Sequence, residues 1–561
     1  MSSLSSMCTM FLSLTYLIFF NGYLALTVTA VSPAELSALN DIYNSANGYA
    51  WAWRPPIFQQ GAVWDFTPSN GEPPDPCAES WQGVTCGGGV FNSFITGLRL
   101  TRYNLTGTMP ESLCNLTRLE NLELQINRMY GSIPSRIGDL QGLTNLDLNN
   151  NFLTSSIPVG VGNLTTLQSL WLYYNSISGS IPETIGHLHL LTMLELDSNS
   201  LTGGIPSSIG QMTSLDSIYL YDNRLSNSIP SEIGLLQNLV KFVVFSNAFT
   251  GSLPSSLTQC TSLEELLLNV NKVSKPCSVC HLFSIDIDCY IFFILILSYF
   301  KFTGSIPEDI GDLSLLVNLY LYETFVTGTI PSSVSKLENL VVLGLSNNLL
   351  EGSLPDDIGV LGKLEILDIS FNFLTGMVPT LANLTSLEYL MLHVNQLSGT
   401  IPNDVAQLTT LVIVDMIGND LTGTVPSGWG VDMVNLQFLL LGENMLTGTL
   451  PASYLCLPAV VQLELRINLL SGPLTMCNDS ALLSSSLLGT LDLSSNLFQG
   501  TIPPTMGSFQ HLHYLILSDN QLDGPLDNLY NVSQQAVLSV IDVSDNFFSG
   551  RYKFTEIGVT C

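Results

Sequence analysis

Apolar residues recur along most of this chain in one frame, L-x-x-L-x-L-x-x-N, usually followed by a glycine and then Ile-Pro. Examples are LTNLDLNNNFLTSSIP from Leu143, LTMLELDSNSLTGGIP from Leu191 and LEILDISFNFLTGMVP from Leu364. The alternation in L-x-L puts every second side chain inward on a short strand and its neighbours on the opposite face. The asparagine, at Asn127, Asn151, Asn175, Asn199 and Asn223, is expected to turn inward, where its amide satisfies backbone groups of neighbouring coils. Gly131, Gly179 and Gly203 supply backbone freedom at the next turn. Ile-Pro then begins a second extended segment that leads into a short helical or 3₁₀ stretch such as SSIGQMTSL.

Pro110, Pro134, Pro158, Pro182, Pro206, Pro230 and Pro254 stand 24 residues apart, and about 18 copies run from Ile95 to about Lys553. A unit of this size buries one face only against its neighbours, so the pattern predicts an α/β solenoid: a superhelix of stacked coils with a parallel sheet on its concave face and caps at its ends. The frame departs at Tyr103 and Thr324 (Asn position), Ser155 and Asn227 (Gly position), and Thr475, Asp527 and Lys553 (Pro position).

The ruler breaks once. Pro254 and Pro307 are 53 residues apart, and removing Val273 to Lys301, 29 residues, restores the frame. This register-breaking segment reads as an inserted loop, a membrane-dipping hairpin or a translated intron. The intron is the favoured reading, because Val-Ser and the terminal Lys can be encoded by splice-site sequences and the intervening Phe/Ile/Leu/Tyr run by a pyrimidine tract. A solvent-facing loop of that composition is an aggregation liability. The Cys277-Ser-Val-Cys280-His281 run matches a haem-attachment pattern, but it falls wholly inside this segment and nothing else supports a haem.

Charged residues are 11% of the 561-residue chain against 46% hydrophobic, a balance of membrane proteins or leucine-packed solenoids. No run reaches the ~20 apolar residues of a membrane span. With 46 Asp and Glu against 16 Lys and Arg, the net charge of -30 excludes nucleic acid as a main partner and favours cationic or uncharged ligands. The first thirty residues carry no charge and end in Val28-Thr29-Ala30, so residues 1–30 read as a secretory signal cleaved after Ala30.

The frame LxxLxLxxNxLxGxIPxxLGxL resembles the plant-type leucine-rich repeat of receptor kinases, receptor-like proteins and polygalacturonase inhibitors. The resemblance implies a right-handed leucine-rich-repeat superhelix at 95–553. Residues 31–94, with a helix over Ala34–Asn47 and the run DPCAESWQGVTC, are similar to the family's N-terminal cap. In that cap Cys77 and Cys86 form the disulfide and Trp81 is a buried plug. Residues 554–561 are left as a C-terminal tail. Cys114 and Cys260 occupy buried repeat positions, Cys456 and Cys477 are candidates to pair, and Cys561 is an odd thiol. Sequons stand at Asn104, Asn115, Asn163, Asn383, Asn478 and Asn531, several after the Ile-Pro segment, where glycans shield the flanks.

No phosphate loop, nucleophile elbow, kinase signature or HExxH occurs, and His187, His189, His511 and His513 read as surface or packing residues. The chain therefore reads as non-catalytic, with neither cofactor nor metal. A ligand belongs on the strand face, where Trp171, Tyr173, Tyr219, Tyr221, Phe245, Tyr320 and Tyr322 form a candidate patch and Glu195 and Asp197 would orient what binds. These rings suit an extended peptide, a protein or a glycan. The reading is a secreted or surface-held recognition module, with a co-receptor as a further partner. The alternatives are the ectodomain of a receptor kinase whose span and kinase lie beyond Cys561, and an inhibitor of wall-degrading glycosidases.

Overall fold

The computed structural model describes residues 31–54, 61–69, 72–88, 93–269, 302, 304–430, 432–476, 486–525 and 538–549, with the backbone of 558–560. The expected signal peptide, the whole 273–301 segment, Cys477, Cys561, Asn478 and Asn531 lie outside the described residues. The chain forms two compact units, Met1–Asn151 and Phe152–Cys561.

The first unit opens with helix α1 (Pro33–Ser45), slightly shorter than expected. A capping box sets its start: Ser32 Oγ accepts from the Glu35 backbone N–H at 3.2 Å and Glu35 Oε2 accepts from the Ser32 N–H at 2.9 Å. The other Glu35 oxygen accepts from the Ile95 N–H, so the residue that caps the helix also docks it on the first coil. Helix α1 ends before Asn47, whose left-handed φ of 57° turns the chain into a 3₁₀ turn at Gly48–Ala50. Trp51, Trp64 and Trp81 fill the cap core, each indole N–H bonded, to Ala46 O, Gln82 O and Glu79 Oε2. Cys77 and Cys86 form the expected disulfide. Strand β1 (Val84–Gly87) pairs antiparallel with β2 (Phe94–Arg99), which starts a parallel ladder through Asn121–Glu123 and Asn145–Asp147. Thr106 and Thr108 donate to Ala46 O and Ser45 O, which ties the helix end to the first coil.

The second unit is a stack of coils whose three-residue strands pair parallel, one coil to the next, from Ser169–Trp171 to Val540–Asp542. Inward leucines such as Leu170, Leu194 and Leu319 are buried. The asparagine ladder forms as expected. Asn247, fully buried, accepts from Leu225 N–H of the preceding coil and donates to Leu220, Val244 and Phe245 carbonyls at 2.9–3.2 Å. Tyr103 replaces an asparagine by joining the cap, stacked edge-on against Trp53. Buried Thr324 bonds to Leu321 O and to Asn348 Oδ1 of the next coil.

The second extended element lies elsewhere than expected. Its short ladders, such as Ser178–Gly179 on Ser200–Leu201 and Phe373–Met377 on Gln396–Thr400, precede Ile-Pro instead of starting there. Proline lacks the N–H a ladder needs; it sits extended and caps a 3₁₀ turn, as Pro206 does for Ser207–Gln211. The glycine of such turns allows close stacking: in the preceding turn, Glu183–His187, a Cβ on Gly186 would lie 2.5 Å from Ser208 O. Ser155 and Asn227, standing at the preceding Gly position, take φ of 68° and 66°, as short polar residues can.

Register holds across the break at 273–301. Glu265–Leu267 pairs directly with Asn318–Tyr320, Phe302 bridges Gly251, and its ring stacks on Phe249. At the other end Gly558–Thr560 pairs with Val540–Asp542, so the segment expected to be a plain tail covers the open edge of that strand.

Candidate functional site

The strand position whose side chain faces away from the leucines carries Trp171, Glu195, Tyr219, Val243, Leu267 and Tyr320 on successive paired strands. At roughly 4.8 Å per strand this row is about 24 Å long. Two residues further along each strand stand Tyr173, Asp197, Tyr221, Phe245, Asn269 and Tyr322. Every ring of the expected patch is half-buried.

The contacts that hold the rings are specific. Tyr221 and Phe245 stack in parallel, centroids 4.6 Å apart at 10°. Trp171 Nε1 lies 3.1 Å from Met193 Sδ, and Tyr320 and Tyr322 meet edge to face. Gly344 on the next strand accommodates Tyr320, since a Cβ there would sit 3.0 Å from its ring. The Tyr221 hydroxyl bonds to Asp197, and that of Tyr322 bonds to the buried Asn269 side chain. Burial pushes the Tyr221 phenol far up, with Asp197 adding to it, and burial raises Tyr219, Tyr320 and Tyr322 as well. These tyrosines stay neutral, and the hydroxyls of Tyr221 and Tyr322 are tied to neighbouring side chains.

The expected ligand-orienting role of Asp197 needs correction. Its side chain is only 3% exposed, and burial raises its pKa while Tyr221 and Ser198 counter the rise. Asp197 is therefore buried against the Tyr221 hydroxyl and is turned away from an open ligand surface. Glu195 is half-buried on the face. A pair that sequence reasoning passed over, Lys241 and Glu265, closes at 2.9 Å beside Tyr219. The signal was available: both stand at the first position of paired strands.

Further along the same face, the histidine that matters is His393, which the sequence reading did not single out. Its Nδ1 lies 3.1 Å from Asp415 Oδ2 on the next strand, off the line of a good hydrogen bond, and Phe371 meets its ring edge to face at 4.9 Å. Arg466 bridges Glu443 at 2.7 Å and approaches Glu464 at 3.8 Å. By contrast His187, His189, His511 and His513 lie before strands, and His189 Nδ1 contacts Gln211 O. Among the described residues no cluster of three or more His, Cys, Asp or Glu is placed to hold a metal, and no helix is long and apolar enough to cross a membrane. Cys114 and Cys260 are buried free thiols; burial raises them to about 12 and about 11. Cys456 is disulfide-bonded, to a partner outside the described residues. Of the sequons, Asn163 and Asn383 are exposed and Asn115 is half-buried, while the Asn104 amide donates to Ala50 O.

Residues 294–472 match the family described as "Leucine-rich repeat region", and residues 141–201 and 487–509 match "Leucine rich repeat" families. Among solved structures, the plant peptide hormone receptor RGFR1 in complex with RGF2 is 30% identical, with a TM-score of 0.70, covering 83% of this chain and 76% of that one. The chain belongs to the plant-type leucine-rich-repeat family. The Arabidopsis receptor kinase HAESA, in complex with the peptide hormone IDA and the co-receptor SERK1, matches this leucine-rich-repeat protein at 26% identity and TM-score 0.65, over 93% and 87% of the two chains. Among curated sequences, the Nodulation receptor kinase of Pisum sativum is 45% identical over 62 residues, 11% of this chain and 7% of the relative. Protein STRUBBELIG-RECEPTOR FAMILY 5 of Arabidopsis thaliana is 35% identical over 118 residues, 20% of this chain and 14% of the relative. The repeats of this protein thus span a small part of those relatives' lengths.

Proposed function

We propose that this leucine-rich-repeat protein is a non-catalytic recognition module of the plant receptor type, secreted to the cell surface or wall, that grips an extended peptide across its strand-face rings. The observation that carries the reading is the row from Trp171 to Tyr322, whose hydroxyls at Tyr221 and Tyr322 are tied back to Asp197 and Asn269. Rings anchored in this way enter a complex with little loss of side-chain freedom and offer flat apolar faces. Similar solved structures are receptors holding peptide hormones, one with a co-receptor, which favours a peptide as first partner and a co-receptor as second. A glycan is the second reading, because exposed ring faces also stack on sugars. Glycans at Asn115, Asn163 and Asn383 would coat the 3₁₀ flank and leave the strand face open.

The test is binding of the purified chain to arrayed synthetic peptides and, separately, to cell-wall oligosaccharides. Replacing Trp171 and Phe245 by Ala should lower binding to the best peptides more than tenfold, with the melting temperature within a few degrees of wild type. Tyr221→Ala is the poorer probe, since it strands buried Asp197. Peptide affinity unchanged in the Trp171/Phe245 variant would sink the reading, and binding confined to the sugars would replace the peptide by a glycan.

A further inference from the structure

The strand face carries a second constellation beyond the ring row. Asp368, Met391 and Asp415 are register partners on three adjacent strands, so the two carboxylates stand about 10 Å apart at two strand spacings. His393 lies on the middle strand, two residues beyond Met391, its Nδ1 against Asp415. Phe371 packs edge to face on the imidazole, and Val394 follows it.

Phe371 and Val394 occupy the position just before the ladder asparagine, where the backbone is left-handed, φ 51° and 52°. Many coils place a short polar residue or glycine there, such as Asn347, Gly418, Ser495 and Asp519, while Ile126, Tyr174 and Ile467 are further large side chains in this conformation. An apolar side chain, β-branched in Val394, costs about 1 kcal/mol at such a position. These two adjacent coils place apolar side chains beside the carboxylates.

Neither carboxylate is fully neutralised within the chain. Asp368 Oδ1 accepts from the Ser370 backbone N–H and hydroxyl, and Asp415 Oδ1 accepts from the Ile417 N–H. Asp368 stands beside Asp415 and His393 on one side, and on the other, further along, Glu464 with Asp492 and the cationic Arg466, so acidic groups outnumber basic ones around them among the described residues.

We propose that Phe371, His393, Val394, Asp368 and Asp415 form a subsite for one basic side chain, Arg or Lys, of the ligand that lies on the ring row. The aliphatic stem packs on Phe371 and Val394, and the cationic head meets Asp415 and Asp368 and borders the Phe371 ring. The strand of His393 is three pairings beyond that of Tyr320, about 14 Å away, which an extended peptide spans in about four residues. The ligand thus places its basic residue four or five positions beyond the part held by Tyr320.

This inference rests on the strand face being a peptide site. The two fail distinguishably when random 12-residue peptides displayed on phage are selected on the full chain and the best binder is synthesised. Selected peptides should share an Arg or Lys at a fixed offset from an apolar stretch. Changing that residue to Ala should weaken binding at least tenfold to wild type and under twofold to the D368N/D415N variant, whose melting temperature reports its folding. An equal loss on both proteins, or binders without a basic residue that still depend on Trp171 and Phe245, overturns the subsite and leaves the ring row standing. Binders indifferent to Trp171 and Phe245, or no binders at all, overturn the peptide reading and the subsite with it.

Discussion

Asp147 shows how the strand face charges for burial. It is 3% exposed, accepts from Asn149 at 2.6 Å, and burial lifts its pKa to about 6, with Glu123 adding to the rise. Its folded pKa lies above the unfolded one, so between about pH 4 and about pH 6 the folded state holds the extra proton. Stability falls as pH rises through that window and stays lower above it. Asp147→Asn keeps the acceptor and removes the charge. It should stabilise the protein by about 2 kcal/mol at pH 7, with the gain gone below about pH 4, as read by denaturant unfolding at several pH values. An equal gain at all pH values would mean that the cost is packing and not ionisation. The individual face residues were legible in the sequence as types in a register: Trp171, Tyr219 and Tyr320 were found by counting from the leucines. Their roles were not. Asp197 reads as a ligand-facing acid until the Tyr221 hydroxyl is seen to reach it, and His393 gains its meaning only from Asp415 and Phe371 on two other coils.

At the level of the element, the coil is closed by its asparagine and spaced by its turn. A rung such as Asn247 serves one N–H and three carbonyls, and Asn247→Ala leaves them buried without partners, at about 3 kcal/mol. Thr324 is the converse case. Its hydroxyl reaches Leu321 O of its own coil and Asn348 of the next, whereas an asparagine of similar volume would also reach the coil before it. Thr324→Asn should therefore raise stability by about 1 kcal/mol. Thermal melts of both variants check the pair, and a loss at Thr324→Asn would show that the coil around Phe302 has no room for a rung. The frame L-x-x-L-x-L-x-x-N made the strand and the rung readable because each depends on residues within one repeat. The second ladder was misplaced because it depends on where the next coil offers a partner, and Ile-Pro marks the point where pairing stops.

Across the whole chain, continuity of register is the informative feature. Glu265–Leu267 and Asn318–Tyr320 pair as ordinary neighbours, and Phe302 takes the place a residue 22 positions after Gly251 would take in an unbroken repeat. A chain lacking residues 273–301 should fold to the same far-UV circular dichroism spectrum, unfold cooperatively and melt no lower than the full chain. Loss of cooperativity would show that the segment is needed by the coils around it, and would remove the intron reading. Each coil's stability comes from its neighbours, so a break that preserved the pairing on both sides leaves the stack intact, while one that shifted it by a residue would turn every leucine outward.

Composition and period alone determined the architecture, because a 24-residue unit with one apolar face has few ways to bury it other than against its own copies. They also located the ladder asparagines, the positive-φ turns, the break after Lys272 and the ring-bearing strands. The sequence could not say which polar groups on that face are spent on the protein itself. Asp197 and Asn269 hold tyrosines, Asp368 is tied to Ser370, and Asp415 stands against His393; each of these except the Asp368–Ser370 pair joins residues on different coils. Such contacts depend on side-chain reach across about 5 Å between strands, a distance set by the stacking of coils and absent from any single repeat.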